Sequence, residues 1–274
     1  MHHTILITGA SSGIGLASAR MLSERGWRVL ATARREEDLA RLERDVGVEA
    51  IPLELSDSGS IDRAAALALE RTDGQLGALF NNAAYGQIGA VEDVTASELR
   101  RQFEVNVVGT HALTRAILPS MRAKGAGRIV QCSSVLGLVS GPYRGAYAAS
   151  KFALEALSDS MRLELRGSGV DVVLIEPGPI RTRFLESALA NFQDTVDIEG
   201  SVHVDTYRRR LASMKAGGKQ LFKLEPEAVA RKLLTALEAR TPKARYYVTA
   251  PTYLAAAMKR ILPARLLDEI AARQ

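Results

Sequence analysis

The fold of this chain is set near its start by the stretch Thr4-Ile5-Leu6-Ile7-Thr8-Gly9-Ala10-Ser11-Ser12-Gly13-Ile14-Gly15. Its first residues are apolar or β-branched, which predicts a buried strand, and the residues after Gly15 continue at helical spacing to Arg25. A strand, a glycine turn and a helix in this order let backbone N–H groups approach a pyrophosphate at the helix N-terminus. The spacing differs from the commoner Gly-x-Gly-x-x-Gly, so an ordinary tight turn is the alternative. The position one strand into the chain favours nucleotide binding.

Strand and helix signals alternate along most of the chain. Short apolar runs predict further strands at 27–32, 48–55, 76–80, 128–132, 170–175 and 244–249, with helices between them such as 95–118, 147–166 and 225–239. This alternation predicts an α/β fold with a doubly wound parallel sheet in a single domain, 1–274, whose strand carboxyl ends form the ligand crevice. Periodicity weakens over about 180–224, which is typical of a lid. The tail 252–274 is amphipathic and basic, which predicts a C-terminal helical extension.

The end of the second predicted strand carries two cations and no acid. NAD-binding chains tend to place Asp or Glu here to hold the adenosine ribose hydroxyls, whereas the 2′-phosphate of NADP attracts guanidinium groups. Arg34 and Arg35 occupy this position. NADP(H) is therefore predicted in preference to NAD(H). The alternative is that both arginines are only solvated charges at a helix start.

A second chemical signal lies between Ser134 and Lys151. If Tyr147 opens a helix, Lys151 lies four residues on and its ammonium shares a face with the phenol. A nearby cation favours the phenolate, so Lys151 is expected to lower the pKa of Tyr147 towards the range of a working acid or base. Ser134 ends an apolar strand and could hold a substrate oxygen. Such a Tyr–Lys pair also occurs by accident on surface helices, but Tyr143 has no lysine four residues on.

Other polar residues fall at strand ends or inside an apolar helix. The run Asn81-Asn82-Ala83 follows the strand 76–80, where small residues and amides suit passage of the chain beside a cofactor, or an ordinary asparagine turn. Asn106 stands among apolar residues, and a buried amide needs a partner such as a backbone carbonyl or an ordered water. Residues 176–182 contain two prolines and a glycine, which predicts a rigid turn at the crevice edge.

Composition and charge exclude several classes of protein. The chain has 274 residues, of which 47% are hydrophobic and 24% charged, as in a globular protein rather than a disordered one. No apolar run is long enough to cross a bilayer, the N-terminal residues leave no room for a signal peptide, and Cys132 is the only cysteine. A reducing, cytoplasmic location is therefore expected. The net charge of +5 suits an anionic ligand or an acidic membrane surface, but no nucleic-acid motif or metal site is expected.

Taken together, these stretches resemble the short-chain dehydrogenase/reductase family over residues 4–182. The signatures in family order are Thr8-Gly9-x-x-x-Gly13-x-Gly15, Asn81-Asn82-Ala83, Asn106, Ser134, Tyr147-x-x-x-Lys151 and Pro177-Gly178. Within the family, the chain is similar to NADP(H)-preferring members such as the 17-beta-hydroxysteroid and retinol dehydrogenases and the aldehyde reductases. The resemblance implies a Rossmann fold and hydride transfer from the nicotinamide itself.

The resemblance also implies a catalytic tetrad of Asn106, Ser134, Tyr147 and Lys151. Tyr147 would be the general acid/base, and Lys151 would lower its pKa and hold the nicotinamide ribose. Ser134 would polarise the carbonyl, and Asn106 would position a water for proton relay.

Motifs and resemblance together predict the cofactor contacts. They are Gly9, Ser11, Ser12, Gly13, Ile14, Gly15, Arg34, Arg35, Glu54, Leu55, Asn82, Ala83, Tyr147, Lys151, Pro177, Gly178, Ile180 and Thr182. By family analogy, Thr182 would bond the nicotinamide amide and Ile180 would pack against the ring. One contact departs from the family pattern, because this chain has Glu54 where similar sequences usually place Asp. Either Glu54 or Asp57 would serve the adenine.

The function predicted from these observations is NADP(H)-dependent interconversion of a carbonyl and an alcohol. A lipophilic substrate is favoured, such as a medium-chain or aromatic aldehyde, a retinoid or a steroid-like ketone. The apolar residues expected to line its pocket are Leu136, Leu138, Val139, Tyr143, Phe184, Leu185 and Phe192. A sugar or acyl-carrier substrate is one alternative, and a nucleotide-sensing protein without turnover is another. Family habit implies a homodimer or homotetramer. The tail helix is expected to pack on the domain or a second subunit, and contact with a membrane surface stays open.

Overall fold

The computed structural model describes residues 2–215 and 222–272, and its centre is a parallel sheet. The strands are β1 Thr4–Ile7, β2 Arg28–Ala33, β3 Glu49–Pro52, β4 Ala78–Asn81, β5 Gly127–Cys132, β6 Val170–Glu176 and β7 Arg245–Tyr247. Their spatial order is β3-β2-β1-β4-β5-β6-β7. The strand order reverses between β1 and β4, and a crevice opens there at the carboxyl ends of both strands. The predicted α/β fold with a doubly wound parallel sheet is confirmed.

Helices cover both faces of this sheet. They are α1 Gly13–Glu24, α2 Glu36–Val46, α3 Ser58–Arg71, α4 Ala96–Phe103, α5 Thr110–Ala123, α6 Gly145–Glu164, α7 Phe184–Thr195, α8 Val204–Lys215, α9 Glu227–Glu238, α10 Ala250–Ile261 and α11 Ala264–Ala272. Alternate residues of β1 serve the two faces: Ile5 and Ile7 lie in the core under α1 and α9, and Leu6 lies in the core under α3 and α5. β1 is buried on both sides, which explains its continuous apolar sequence.

The predicted helix 95–118 is two helices joined by a π-helical turn, Glu104–Gly109. A π-turn holds one more residue per turn than an α-helix and rotates the side chains that follow it. Gly109 closes the turn against β3's exit loop, where an added Cβ would lie 2.0 Å from the carbonyl oxygen of Leu55. The turn therefore fits only with glycine at its end, and it places Asn106 towards the crevice side.

The segment predicted as an irregular lid is largely helical. It contains α7 and α8, and residues 216–221 of it lie outside the described part of the chain. Phe192 and Tyr207 form a small core between these helices with Val196 and Ala90. The Tyr207 hydroxyl accepts a hydrogen bond of 2.7 Å from the Ala90 backbone N–H and also bonds the Asp93 carboxylate. These bonds tie the lid to the loop after β4.

The predicted tail helix is broken in two. α10 ends at Ile261 and α11 begins at Ala264, because Pro263 disfavours helical backbone at the residue before it. α10 buries Thr252, Ala255 and Ala256, whereas α11 buries none of its described residues. In the part of the chain that the structure describes, no helix combines the length and apolarity needed to cross a membrane.

Candidate active site

The glycine turn after β1 is folded so tightly that three positions exclude a side chain. Gly9 and Gly13 have φ of 67° and 53°, in the left-handed region that favours glycine. A Cβ on Gly15 would lie 2.2 Å from the carbonyl oxygen of Gly9, and a Cβ on Gly13 would lie 3.0 Å from Thr182 Cγ2. The turn is therefore packed closely against its own backbone and against Thr182. Its open backbone N–H groups form the cradle that a pyrophosphate needs.

Asn82 fixes this turn from the neighbouring strand. Its side-chain amide donates to the backbone oxygens of Thr8 at 2.9 Å and Gly9 at 3.2 Å. The Thr8 hydroxyl accepts from the backbone N–H groups of Asn82 and Ala83, each at 2.9 Å. The predicted cofactor residues on β1 and β4 are thus brought together at the strand-order reversal.

The two predicted phosphate-binding arginines differ in their partners. Arg34 is exposed and its guanidinium lies 3.7 Å from Glu54 Oε2. Arg35 is held by two carboxylates of α2, Glu37 and Asp38, each at 2.9 Å. Both arginines lie at the predicted strand end, and Arg34 has the weaker ion pair and the freer guanidinium.

Arg41, which the sequence did not single out, joins α2 to the glycine turn. Its guanidinium donates to the Ser11 carbonyl oxygen at 2.6 Å and to Asp38 Oδ1 at 2.8 Å. Asp38 in turn binds Arg35, so hydrogen bonds and ion pairs through Arg41 and Asp38 link the glycine turn to the end of β2. Only the fold shows this link, because Arg41 stands far from Ser11 in sequence.

Glu54 and Asp57, the two carboxylates that could serve the adenine, have different hydrogen-bond partners. Asp57 is the N-cap of α3 and accepts from the Gly59 N–H at 2.9 Å, a role that occupies its carboxylate. Glu54 accepts from the Ser56 backbone and hydroxyl at 3.1 and 2.9 Å. Leu55 is buried between them. Neither carboxylate is free of partners, and Glu54 as an adenine contact stays a prediction.

Asn106 occupies the π-turn and is buried. Its side-chain oxygen accepts from the Tyr85 N–H at 3.1 Å, and its amide donates to the Tyr85 carbonyl at 3.0 Å and to Ser150 Oγ at 3.1 Å. Of the two partners that the sequence left open for this buried amide, a backbone carbonyl and an ordered water, the structure shows the carbonyl. Through it the loop after β4 is joined to α6.

The predicted Ser–Tyr–Lys group converges between the end of β5 and α6. α6 begins at Gly145, two residues before Tyr147, so Tyr147 and Lys151 share one face as expected. The Lys151 ammonium donates to the Cys132 carbonyl oxygen at 2.8 Å and lies 5.7 Å from the centre of the Tyr147 ring. Ser134 Oγ accepts from the Leu136 N–H at 3.1 Å, and the Ser134 side chain also hydrogen-bonds the Tyr147 phenol.

The pKa of Tyr147 departs from the prediction. Burial raises the pKa of this phenol well above its usual range, and a hydrogen bond with Ser134 and the charge of Arg144 only partly oppose that. Lys151 was expected to lower this pKa, but its ammonium is directed at the Cys132 carbonyl, and burial also lowers the pKa of Lys151. The predicted helix spacing is confirmed. The predicted direction of the pKa shift is wrong, because burial destabilises the phenolate by more than the nearby positive charge stabilises it. Tyr147 is a protonated phenol at neutral pH.

The turn after β6 borders the same crevice. The Pro177 carbonyl accepts from the Val135 N–H at 2.8 Å, and a Cβ on Gly178 would lie 2.0 Å from Thr249 Oγ1. Thr182 lies against Gly13, so the predicted nicotinamide and pyrophosphate residues meet. Ile180 is partly buried and packs against the core that also contains β1 and α9, and its contact with the nicotinamide ring stays a prediction.

The predicted substrate-pocket residues fall into two groups. The Phe184 ring lies 5.3 Å from the Tyr147 ring, and Leu185 beside it is about as exposed as Phe184. Phe192 is buried in the lid's own core and Leu138 is also buried, so both mainly support the pocket wall. Apolar side chains of α7 therefore cover the phenol from the lid side.

A buried cluster of carboxylates behind the site was missed by the sequence reasoning. Arg245 Nη2 donates to Glu155 and Asp159, each at 2.9 Å, and Arg245 Nε lies 3.1 Å from Glu176 Oε1. Lys151, Glu155 and Asp159 are spaced four apart on α6, so the spacing could have shown a shared face. Burial raises the pKa of Glu176 to about 8, and the charge of Glu155 acts in the same direction. Glu176 therefore takes up a proton at a higher pH than an ordinary glutamate does.

We expect Glu176→Gln to change how stability depends on pH. Because the folded-state pKa of about 8 lies above the ordinary value of 4.5, this group's contribution to stability is full below about pH 4.5 and is lost as pH rises through about 8. Glutamine stays neutral throughout. The free energy of unfolding of the variant, measured by urea titration, should therefore gain on that of the wild type between about pH 5 and about pH 8.5.

The matched control is Glu164→Gln, at an exposed position of α6, the helix that also carries Glu155 and Asp159. Its unfolding free energy should follow the wild-type pH profile. Parallel profiles for Glu176→Gln and the wild type would show that Glu176 is ionised in the folded protein.

A nicotinamide dinucleotide fits the residues described. The cradle at Gly9 and Gly15, which a Cβ would fill, would hold the pyrophosphate, and Arg34 would lie at the adenosine end. Tyr147 and Lys151 would lie at the nicotinamide end, opposite Thr182.

Comparisons with known proteins show which family the chain resembles. A family model described as short chain dehydrogenase matches residues 3–192. The chain is 43% identical over 270 residues to an uncharacterized oxidoreductase, YbbO, of Escherichia coli strain K12, covering 98% of this chain and 94% of that protein. It is 34% identical to an NADPH-dependent 3-dehydrocapnine reductase of Ornithobacterium rhinotracheale, covering 97% of this chain and 94% of the relative.

Solved structures are similar in fold and differ in cofactor. A short chain dehydrogenase of Burkholderia cenocepacia in complex with NADP superposes with a TM-score of 0.75 at 25% identity, covering 97% of each chain. A short chain dehydrogenase/reductase of Burkholderia phymatum in complex with NAD gives a TM-score of 0.77 at 29% identity, covering 95% of this chain and 92% of that one. A dinucleotide cofactor is common to both.

Proposed function

The chain belongs to the short chain dehydrogenase family and is an NAD(P)-dependent oxidoreductase that interconverts CH–OH groups and carbonyls, and from this we propose that it reduces a lipophilic aldehyde or ketone with Tyr147 as general acid. The observation that carries the proposal is the convergence of the buried Tyr147 phenol with Ser134 and Lys151 at the end of β5. Because the phenol is protonated at neutral pH, it is ready to donate to an alkoxide as that forms.

Each residue of the group has a role that its contacts allow. The Ser134 O–H would turn from the Tyr147 phenol to the substrate oxygen and polarise the carbonyl. Tyr147 would give its proton to the same oxygen. Lys151, anchored on the Cys132 carbonyl, would stabilise the phenolate left behind and hold the ribose. Asn106 would keep the loop after β4 in register with α6, beside the path by which the proton is replaced.

For the cofactor we propose NADP(H) in preference to NAD(H). When bound, it supplies the hydride. Support comes from Arg34 and Arg35 at the end of β2 and from the exposed guanidinium of Arg34. Further support comes from similarity to an NADPH-dependent reductase and to a dehydrogenase whose structure was solved in complex with NADP. The remaining contacts proposed are those at the glycine turn, at Asn82 and Ala83, and at the Pro177-Gly178 turn.

We expect an Arg34→Ala, Arg35→Ala double variant to lose affinity for NADPH far more than for NADH. A charge-assisted contact to a phosphate is worth enough that the NADPH/NADH preference should fall by roughly tenfold to a hundredfold. Fluorescence titration with each cofactor measures it. The control is Arg44→Ala, an exposed arginine of the same helix α2 that pairs with Asp45. Equal losses for both cofactors in the double variant would refute the assignment.

A lipophilic substrate is proposed because the covering residues of α7 are apolar and the Phe184 ring lies against the catalytic phenol. The test follows absorbance of the reduced nicotinamide with NADPH, then NADH, across a panel of aldehydes, ketones and alcohols. Selective NADPH consumption with apolar carbonyls supports the proposal, and consumption only with sugars or acyl carriers replaces it. Binding of NADPH without turnover across the panel would favour the alternative of a sensing protein.

A homodimer or homotetramer is also proposed. Support comes from exposed apolar side chains on the outer faces of α4 and α6, at Leu99, Leu157 and Leu163, which a second copy would cover. Analytical ultracentrifugation measures the assembly. A cytoplasmic location and a membrane-surface contact of the tail stay predictions.

A further inference from the structure

A narrow pocket between the lid and the loop before α6 contains two arginines. Arg144, the residue before α6, and Arg210 of α8 both line the pocket. Most of the remaining wall is apolar and includes Leu189 and Phe192 of α7. The Arg144 side chain is exposed and the Arg210 side chain is partly exposed, so an anion can reach both guanidinium groups from solvent, and their like charges repel each other.

Neither arginine is neutralised. In the described residues, no carboxylate forms an ion pair with Arg144 or with Arg210. Arg210 stacks over the ring of Tyr143, with its Cζ 4.7 Å from the ring centre. Burial and the positive charge of Arg210 both lower the pKa of Arg144. Most other arginines of the site region, such as Arg35 and Arg245, are paired with acids. These two neighbouring guanidinium groups are therefore available to bind an anion together.

The pocket shares the loop before α6 and the helix α7 with the surroundings of the Tyr147 phenol. Arg144 stands three residues before Tyr147, and the two groups interact electrostatically. Phe184 contacts the Tyr147 ring, and Leu189, farther along the same helix, lines the pocket. A chain-like molecule with its carbonyl at Tyr147 could follow α7 and bring its other end to the arginines.

The loop between the two places is held in a strained conformation. Tyr143 has φ of 65°, a left-handed backbone that a tyrosine rarely adopts. The Gly89 N–H donates to the Tyr143 carbonyl at 3.0 Å, and the Tyr143 ring lies against His203 and Tyr207 of the lid. These contacts fix Tyr143 and set Arg144 beside it at the pocket wall.

We propose that Arg144 and Arg210 bind an anionic end group of the substrate, and that the substrate class is an amphipathic carbonyl compound with an apolar chain and a carboxylate-like terminus. The cavity measures about 20 Å³, so it fits an end group rather than a substrate body, with a small movement of the partly exposed Arg210. The inference rests on the proposed function, since it names the substrate of the same site.

The experiment compares each ω-oxo carboxylic acid of a chain-length series with its own methyl ester, using NADPH oxidation by the full chain. The two substrates differ only in the charge at the end remote from the carbonyl. At the best chain length, wild-type kcat/KM should favour the acid by roughly tenfold to a hundredfold, mostly through KM. Arg144→Gln and Arg210→Gln should each reduce that ratio towards one, and Arg210→Lys should restore part of it. The control is Arg209→Gln, whose side chain bonds Thr206 on the same helix and should leave the ratio unchanged.

A second measurement does not depend on turnover. Calorimetric titration of the NADPH complex with ω-hydroxy carboxylates and their methyl esters should show acid binding that Arg210→Gln weakens by tenfold or more. Turnover of both substrates at equal kcat/KM in the wild type would overturn the anion site and leave the reductase intact. Arginine-dependent acid binding without any turnover would overturn the proposed function and support the anion site. Equal binding of acid and ester would overturn the anion site whatever the turnover.

Discussion

Replacing Tyr147 with phenylalanine should reduce kcat by roughly 10²- to 10⁴-fold, the range that a positioned proton donor contributes. The phenol is the only group of the proposed site that combines burial, contact with Ser134 and a proton at neutral pH. Phenylalanine keeps the ring that packs on Phe184, so the pocket should keep its shape. The affinity for NADPH, measured by fluorescence titration, should stay within about twofold, because only the proton donor is removed.

Tyr253→Phe is the matched control for this variant. Tyr253 is half exposed on α10, and its ring meets Tyr247 rather than any group of the site. Its kcat should equal that of the wild type. If Tyr147→Phe retained wild-type turnover, the proton would have to come from elsewhere and the mechanism proposed here would be wrong.

Replacing Gly15 with alanine should abolish NADPH binding at concentrations that saturate the wild type. The added methyl would lie 2.2 Å from the Gly9 carbonyl oxygen and 2.8 Å from the Asn82 amide nitrogen. Both atoms belong to the turn or hold it, so the turn must open rather than a flexible side chain move aside. Overpacking of this kind typically costs 1–3 kcal/mol of stability, about 2 kcal/mol here. Urea unfolding measures that loss, and fluorescence titration measures the binding.

Gly141→Ala separates the turn geometry from any general cost of replacing glycine. No atom lies within 4 Å of a Cβ built at Gly141, and its φ does not require glycine. Its NADPH affinity and unfolding free energy should match the wild type. NADPH affinity within about twofold of wild type in Gly15→Ala would mean that the turn does not form the pyrophosphate cradle.

The sheet and the crevice could be predicted from the sequence because their signals are local. β1 and the glycine turn after it appear as an apolar run and three glycines, and the predicted strands 128–132 and 170–175 fall on β5 and β6. Parallel strands that are buried on both faces consist almost entirely of apolar residues, so they can be recognised in the sequence as short apolar runs. The position of Tyr147 and Lys151 followed from helix spacing for the same reason.

Two local signals were available and were undervalued. Leu185, Leu189 and Phe192 stand at helical spacing in the predicted lid, and α7 is where they fall. Pro263 in the tail marks the break between α10 and α11. The helical pattern in the lid was weak and was treated as absent. The pattern in the tail was treated as continuous although a proline interrupts it.

The remaining features depend on contacts between distant parts of the chain. The π-turn at Asn106 is stabilised by Tyr85 and Ser150, neither of which is near it in sequence. The raised pKa of Tyr147 depends on how deeply the lid and the loop before α6 bury it, and spacing carries no information on burial depth. The ion cluster around Arg245 needs β7 to lie beside β6, which only the folded topology supplies.

The burial of Cys132 makes the chain's single thiol a reporter of opening motions. Cys132 ends the internal strand β5, and burial raises its pKa to about 11, so at neutral pH the thiol is both covered and protonated. Thiol reagents attack the thiolate, and they must therefore wait until the sheet separates. The labelling rate of the native protein measures that separation directly. A cysteine introduced on the exposed face of α8 would react long before it, and would give a single attachment point for a dye on the lid.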